Sequence, residues 1–257
     1  MTRLFGSRSR ARRRGPGSIL AVVVLAVTMI GVLAACQTPS TRPPRPRPLL
    51  PCDEPGDDVV VIAGDSVTGG WSTYLVLPEG TTILNLSRGG SSYSAAESDD
   101  ISKTMSIPQR LLAQLDVCGN DVGLVVISGG VNDLAQGQST DAIESAVTEL
   151  SAELDARGVA STWVPILPWP LTGEFTAEDE RFINRAAYND WLRQPGQVGG
   201  PVLECNGSVD LDGAPVEQLA PEYQKIDGTT VDIWHPNPFG SSTFAGCIDD
   251  QITAHLP

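Results

Sequence analysis

The residues best able to do chemistry stand in four short groups along the chain. Three groups directly follow apolar runs, and the fourth lies near the carboxyl end. They are Gly64-Asp65-Ser66, the segment from Asn85 to Gly90, the segment from Gly129 to Asp133, and the segment from Asp232 to His235. Together they offer a hydroxyl, an imidazole, carboxylates and amide donors. A serine hydroxyl is a good nucleophile only when a positioned base accepts its proton, so Ser66 needs a histidine or similar base beside it.

The base for such a serine has few candidates, because the chain contains only 2 histidines. His255 lies two residues from the last residue and follows no predicted strand. His235 lies in the fourth group, close behind an aspartate. We therefore expect His235, rather than His255, to be the base.

Short apolar runs rich in β-branched residues predict the strands that position these groups. The runs cover residues 59–63, 82–86, 122–128 and 161–167, with a weaker fifth run at 202–205 or 209–211. Continuous apolar runs of this length are typical of strands buried on both faces of a sheet. Each of the first three groups therefore begins where a buried strand ends.

Helical patterns lie between these strands. They cover residues 107–116, 140–154, a stretch from Thr176 to 191 or 193, and 239–254. Alternating strands and helices indicate a parallel sheet with helices on both faces. The predicted fold is an α/β, three-layer α/β/α sandwich of the flavodoxin-like type, with a parallel sheet of about five strands. Because ligands bind beyond the carboxyl ends of such strands, we expect the four groups to converge at one end of the sheet.

These groups resemble the motif blocks of the SGNH (GDSL-type) hydrolases, a family named for a serine, a glycine, an asparagine and a histidine. All blocks occur in the family's order, and the resemblance covers residues 59–255. It implies a serine esterase that hydrolyses a carboxylic ester through an acyl intermediate on Ser66. His235 would be the general base, and Asp232 would fix its tautomer and stabilise the imidazolium.

The resemblance also implies an oxyanion hole. Its donors would be the backbone N–H of Ser66, the backbone N–H of Gly90 and the side-chain amide of Asn132. Gly90 is preferred to Gly89 because the family's glycine usually falls five positions after the strand-end asparagine, here Asn85. These donors would hold the negative oxygen of the tetrahedral intermediate.

Other residues near the four groups have structural interpretations. We expect Asp65 to hold the turn and Asp133 to support the third loop. Arg88 could meet a substrate carboxylate, but a solvated side chain is favoured. Trp169 and Trp234 lie in predicted site loops, and a packing role and a role as a sugar or acyl platform remain equally open.

The substrate is not readable from the sequence beyond the family analogy, which favours acetyl or other short acyl groups on a carbohydrate or lipid. An O-acyltransferase acting on cell-wall polysaccharide is the alternative, because a sugar hydroxyl can intercept the same acyl intermediate. A non-catalytic binding module is a third hypothesis, disfavoured because no catalytic part is missing.

The amino-terminal segment resembles a bacterial export signal. Six arginines precede an apolar run over residues 19–33, which is shorter than the roughly 20 residues of a spanning helix. The run ends in Leu33-Ala34-Ala35-Cys36, which resembles a lipobox. We expect a signal peptide over 1–35, lipidation of Cys36, a Pro/Arg-rich tether over 36–52 and the hydrolase domain over 53–257. The protein would then be extracytoplasmic and lipid-anchored to the cell membrane; an uncleaved anchor or a secreted protein is the alternative.

The charge of the domain excludes a class of partner. From residue 53 onward, eight basic residues face all 31 acidic residues, a formal charge of about −23. Nucleic acid is therefore not expected, because phosphate binding depends on clustered Lys and Arg. No phosphate-binding loop or GxGxxG follows any strand, so no nucleotide cofactor is expected.

Four cysteines follow Cys36. An even number in an exported domain predicts two disulfides, for which three connectivities exist. The candidates are Cys52, Cys118, Cys205 and Cys247, and the pairs Cys52–Cys118 and Cys205–Cys247 are favoured. Metal binding is disfavoured, since no CxxC pair occurs.

Overall fold

A parallel sheet of four strands forms the centre of the computed structural model, which describes residues 56–94, 106–173 and 175–256. The strands are β1 (Gly56–Gly64), β2 (Thr82–Asn85), β3 (Val122–Ser128) and β4 (Ser161–Val164), in the order β2-β1-β3-β4. Val202 forms a single parallel bridge to Trp163, beside the outer edge of β4. The predicted parallel sheet is confirmed, with four full strands and this bridge where a fifth strand was expected.

Helices flank the sheet, as the sequence predicted. They are α1 (Ser66–Ser72), α2 (Ile107–Cys118), α3 (Val131–Ala135), α4 (Thr140–Arg157), α5 (Glu180–Leu192) and α6 (Pro238–Thr253). Helix α1 contacts α6, and α4 contacts α5. The predicted three-layer α/β/α arrangement is therefore the observed one.

Several predicted boundaries were wrong by one to four residues, and two of these differences have a clear local cause. Strand β4 ends at Val164 rather than at 167, because Pro165 has no N–H to continue the ladder. Helix α5 begins at Glu180 rather than at Thr176, because the side chain of Asp179 accepts the Arg181 N–H and caps the helix there.

A β-hairpin outside the main sheet was not predicted. Strands β5 (Gln224–Asp227) and β6 (Thr230–Pro236) pair antiparallel as a separate two-stranded sheet. The register passes from Gln224–Pro236 to Lys225–Asp232, so residues 233–235 form a bulge in β6. His235 therefore lies in a bulge of a hairpin and not in a loop after the main sheet.

The two central strands form the most buried part of the core. Val60, Ile62 and Val126 are wholly inaccessible to solvent. Gly64, at the end of β1, has no room for a side chain, because a Cβ would collide with Thr68 and with the carbonyl oxygen of Ser128. Close packing of this kind fixes the position of whatever follows β1.

The predicted Cys205–Cys247 disulfide is present, with Cα atoms 5.7 Å apart, and joins the segment after β4 to α6. Cys118 is also disulfide-bonded. Cys52, its favoured partner, lies outside the described residues.

The predicted signal peptide (1–35), the lipidation site Cys36 and the tether (36–52) also lie outside the described residues, so they stay predictions. No helix in the described ranges has both the length and the apolar character needed to cross a membrane.

Candidate active site

The nucleophile candidate lies where the buried β1 strand passes into α1. Ser66 is the first residue of α1, and Asp65 is its N-cap. One carboxylate oxygen of Asp65 accepts hydrogen bonds from the backbone N–H groups of Val67 (2.9 Å) and Thr68 (3.3 Å). Asp65 therefore holds the turn, as expected from the sequence. The half-buried Ser66 is left at the protein surface on a rigid support.

The structure brings Ser66, His235 and Asp232 into one hydrogen-bonded chain. The Oγ atom of Ser66 lies 2.8 Å from Nε2 of His235. The Nδ1 atom of His235 lies 3.1 and 3.0 Å from the two carboxylate oxygens of Asp232. With the ring proton on Nδ1 donated to Asp232, Nε2 accepts from the serine hydroxyl. His255 is exposed near the C-terminus and takes no part.

Asp232 shapes the bulge as well as orienting the ring. Its Oδ1 accepts the backbone N–H groups of Trp234 and His235, both at 3.0 Å. Its Oδ2 forms an ion pair with Nζ of Lys225 at 3.2 Å. Burial acts to raise the pKa of Asp232, but the two amides, the charge of His235 and Lys225 outweigh it and hold the pKa below its ordinary value. Asp232 is therefore ionised at neutral pH.

The loop after β2 lies between Ser66 and Asn132. The side-chain amide of Asn132 donates to the carbonyl oxygen of Ser91 at 2.8 Å. A Cβ on Gly89 would lie 3.8 Å from the Cβ of Ser66, which places this loop against the nucleophile. Gly90 has a φ of +78°, a left-handed conformation that glycine adopts without strain. The loop that carries Gly90 is thus joined to Asn132 and adjacent to Ser66.

Asp133 holds the other end of the same loop. Its carboxylate accepts the backbone N–H groups of Tyr93 and Ser94, both at 2.9 Å, and the Ser94 hydroxyl at 2.6 Å. Burial raises the pKa of Asp133 in spite of these hydrogen bonds. Asp133 therefore supports the loops of the site, as expected.

Asp65 carries a second perturbed carboxyl group beneath the site. Burial raises the pKa of Asp65 to about 6, although the amides of Thr68 and Val67 act to lower it. Two smaller contributions are included in this value: the charge of Asp133 acts to raise the pKa of Asp65, and that of His235 acts to lower it. The Oδ2 atom of Asp65 is buried and has no hydrogen-bond partner among the described residues.

Aromatic packing holds the bulge from the other side. Trp234 meets the edge of Trp169 with ring centroids 4.9 Å apart, and Phe175 lies 5.9 Å away. The guanidinium of Arg181 lies 5.6 Å from the Trp234 ring. Trp169 is almost wholly buried, so it is a packing residue and not a platform.

A cleft of about 580 Å³ opens beside the hairpin, on the side of the loop that precedes α5. It is lined by Thr172, Gly173, Phe175, Arg181, Thr229, Thr230, Val231 and Ile233. The lining combines the apolar side chains of Phe175, Val231 and Ile233 with three threonines and Arg181, and Ile233 lies two residues before His235.

Sequence reasoning missed two residues that contact this machinery. Lys225 pairs with Asp232 only because of the hairpin register, and no short-range pattern signals that register. Arg110, on α2, donates from Nη2 to the Oγ of Ser91 (2.8 Å) and to the carbonyl oxygen of Gly64 (3.4 Å). Within the described residues, no cluster of three or more His, Cys, Asp or Glu side chains is placed to hold a metal ion.

Solved structures share this fold. A GDSL-like lipase from Bacteroides thetaiotaomicron aligns with a TM-score of 0.58 and 15% identity, over 90% of this chain and 98% of its own. A candidate acylhydrolase from Bacteroides fragilis gives 0.60 and 19%, over 81% and 92% of the two chains. A candidate arylesterase from Agrobacterium tumefaciens gives 0.58 and 14%, over 77% and 98%. At these identities the likeness establishes the fold alone.

Sequence comparison identifies the family. No curated protein matches the chain significantly. Residues 62–242, however, match the GDSL-like Lipase/Acylhydrolase family. This range spans all four groups of the site, from the strand before Ser66 to the helix after His235. The chain therefore belongs to the GDSL-like lipase/acylhydrolase family and is a hydrolase of the GDSL type.

Proposed function

We propose that the protein is a serine esterase that hydrolyses a carboxylic ester through an acyl intermediate on Ser66. One observation carries this proposal: the continuous chain of hydrogen bonds from the Ser66 hydroxyl through the His235 ring to the Asp232 carboxylate. Such a chain is what a hydroxyl needs to become a nucleophile near neutral pH.

The reaction follows from this geometry. Nε2 of His235 takes the hydroxyl proton as Ser66 Oγ bonds to the ester carbonyl carbon, and Asp232 stabilises the imidazolium. The imidazolium then protonates the leaving alkoxide, and the C–O bond of the ester breaks. In the second half, His235 takes a proton from water as the water oxygen attacks the acyl group. The imidazolium returns that proton to Ser66 Oγ as the carboxylic acid leaves.

The negative oxygen of each tetrahedral intermediate needs fixed donors. The Ser66 N–H is available, because the Asp65 cap takes the amides of Val67 and Thr68 instead. We assign the other two donors to the Gly90 N–H and the Asn132 side-chain amide. Asn132 uses its amide for Ser91 as well, which fixes its orientation. Loss of one donor of this kind typically costs on the order of 10²–10³ in rate.

The substrate class we propose is an ester of a short acyl group with a carbohydrate or lipid alcohol. The mixed lining of the cleft beside the hairpin, with three threonines next to Phe175, Val231 and Ile233, supports a substrate that has both polar and apolar parts. Acyl transfer to a polysaccharide hydroxyl is the alternative outcome of the same acyl intermediate. Analysis of the products formed with a polysaccharide acceptor separates the two, since only transfer places acyl groups on the sugar.

We propose an extracytoplasmic, lipid-anchored location. The basic start, the apolar run and Cys36 support it, and the Cys205–Cys247 disulfide is typical of an oxidising compartment. Replacing Cys36 with alanine should abolish incorporation of a labelled fatty acid into the protein. A native protein that takes up no labelled fatty acid would contradict the anchor.

The central test is Ser66→Ala. The variant should lose turnover of 4-nitrophenyl esters and labelling by a fluorophosphonate, while its circular dichroism and melting temperature stay unchanged. A series of acyl chain lengths on the native protein then defines the acyl preference. Persistent turnover by the alanine variant would refute the assignment of the nucleophile.

A further inference from the structure

Two basic residues near the nucleophile differ from the other described basic residues of the domain. Within the described ranges, five basic residues form ion pairs with carboxylates: Arg157, Arg181, Arg185, Arg193 and Lys225. Arg88 and Arg110 form none with any described residue, although the chain contains 31 acidic residues. In a domain with so large an excess of acid, two neighbouring cations without a described carboxylate partner require an explanation.

Both arginines border the loop that touches Ser66. The Arg88 N–H donates to the carbonyl oxygen of Gly64 at 3.1 Å, and the Arg88 carbonyl accepts the Ser91 N–H at 3.2 Å. Nη2 of Arg110 reaches the same Gly64 oxygen and the Ser91 hydroxyl. The Arg88 backbone and the Arg110 side chain therefore contact the same two residues: Gly64, two positions before the nucleophile, and Ser91, at the end of the Gly89–Ser91 loop.

The arrangement is unfavourable without an anion. Burial, and to a lesser degree the charge of Arg88, lowers the pKa of Arg110 to about 10. Arg110 nevertheless remains protonated at neutral pH, so its charge lies within electrostatic range of a second positive charge, that of Arg88, in a partly desolvated place. A buried charge is costly unless it is paired and hydrogen-bonded, and a planar carboxylate is the partner that a guanidinium accepts best.

We propose that Arg88 and Arg110 form a subsite for a carboxylate carried by the ester substrate. This inference rests on the proposed esterase function and narrows the substrate to esters with an anionic end: half-esters of dicarboxylic acids, or esters of hydroxy acids. Arg88 makes the direct contact, because it is half-exposed at the start of the loop. Arg110 supplies the positive field, because its Nη2 is engaged with Ser91 and its Nη1 is buried.

The experiment compares matched charged and neutral esters. On the acyl side, the pair is the mono-4-nitrophenyl ester of glutaric acid and 4-nitrophenyl butyrate. On the alcohol side, it is 4-acetoxybenzoate and its methyl ester. For each pair the ratio of kcat/KM, charged over neutral, is measured in the native protein, in Arg88→Gln and in Arg88→Lys. Arg157→Gln, which removes an equal charge from the far end of α4, is the control for net charge.

In one of the two pairs, the ratio should fall about tenfold or more in Arg88→Gln, as expected for loss of a hydrogen bond to a charged group. In Arg88→Lys the ratio should stay between those of the native protein and Arg88→Gln. In Arg157→Gln it should stay within twofold of the native ratio. The pair that responds shows whether the carboxylate belongs to the acyl or the alcohol part.

The competing occupant is a carboxylate of this chain, since Glu97, Asp99 and Asp100 lie in residues 95–105, outside the described ranges. In that case Arg88→Gln would lower the melting temperature and slow charged and neutral esters equally, which would overturn the subsite. Ratios that move less than twofold in both pairs would also overturn it. If the protein were not an esterase, the result would differ from both of these outcomes, because even the neutral esters would not be hydrolysed.

Discussion

The two halves of the catalytic chain are held by very different parts of the molecule. Ser66 follows the buried strand β1, whose Val60, Val61 and Ile62 are wholly inaccessible to solvent. His235 and Asp232 lie on the β5–β6 hairpin, where residues 225–230 are exposed. The first support is the core of the domain, and the second is a two-stranded ribbon that belongs to no larger sheet.

This contrast shows how a base can be placed accurately without a large core beneath it. Asp232 accepts three hydrogen bonds from the bulge that follows it, two from backbone amides and one from the His235 ring, so the geometry of the bulge is self-contained. Edge-to-face packing of Trp234 on Trp169 attaches that bulge to the domain. Substitutions in the hairpin should therefore lower kcat/KM more than the free energy of unfolding. Substitutions around β1 should instead lower the free energy of unfolding more than kcat/KM.

The largest expected effect is that of Asp232→Asn. The asparagine oxygen can still accept the amides of Trp234 and His235, but its NH₂ group faces Nδ1 and selects the wrong tautomer of the ring. A comparable change in a serine protease costs about 10⁴ in kcat, so we expect a loss of roughly 10³–10⁴ with an unchanged melting temperature. Steady-state kinetics beside thermal unfolding checks this. A loss below tenfold would show that Asp232 serves the hairpin and not the ring.

The second prediction concerns the nucleophile's side of the comparison. The pKa of Asp65 is raised to about 6 in the folded protein, against 3.8 ordinarily. The folded state thus binds this proton more tightly than the unfolded state. Its contribution to stability is complete below about pH 4 and is lost as the pH rises through about 6.

Asp65→Asn cannot ionise and should not suffer this loss, while its side-chain oxygen can still cap α1. Relative to the native protein, the variant should gain up to about 3 kcal/mol in unfolding free energy between pH 4 and pH 7.5, at 1.36 kcal/mol per pKa unit. Denaturant unfolding at the two pH values measures the gain. A difference that does not change with pH would mean that the carboxyl group titrates normally.

The same contrast explains what the sequence could and could not predict. Strands β1 and β3 could be predicted from their continuous apolar runs, because strands buried on both faces of a parallel sheet are apolar at nearly every position. The Gly-Asp-Ser and Asn-Asp groups were then recognised because they follow these strands. Strand β5 has no apolar run by which it could be predicted, because its four residues are mostly polar and exposed. Asp232 and His235 were identified by their spacing, but not the hairpin that holds them.

Contacts between residues of different strands and helices could not be predicted either. The pairing of Lys225 with Asp232 depends on a register irregularity, and the reach of Arg110 to Ser91 depends on how α2 lies across the sheet. The disulfide Cys205–Cys247 was the exception, because an even cysteine count leaves few pairings. Catalytic residues can therefore be recognised in short sequence segments, but the way in which those segments pack against one another cannot.

The third prediction tests the rigid side by overpacking. Gly64→Ala places a methyl group against Thr68 and the Ser128 carbonyl, where backbone must move. We expect a loss of roughly 1–3 kcal/mol in unfolding free energy. Gly246→Ala is the matched control, since a Cβ there meets nothing within 4 Å and alanine favours a helix interior by up to about 1 kcal/mol. Equal melting temperatures for the two variants would contradict the tight packing at the end of β1.

The smallest effect is expected from Lys225→Met, on the hairpin side. Lys225 is 51% exposed on its side chain and Asp232 is 20% exposed, so water and salt screen the pair. Without the lysine, the negative charge of Asp232 is less compensated and the imidazolium of His235 is favoured. The acid limb of the pH profile of kcat/KM should therefore move up by about half a pH unit, since exposed pairs contribute about 1 kcal/mol or less.

The pH profile separates charge from structure in this variant. The plateau at high pH should change less than threefold, and the melting temperature should not change. Lys225→Arg, which keeps the charge, should keep the native profile, and the shift in Lys225→Met should shrink at 1 M salt. A uniform drop at every pH would instead show that Lys225 holds the hairpin together. The base would then depend on the rest of the ribbon, and the self-contained bulge would be the wrong description of how His235 is placed.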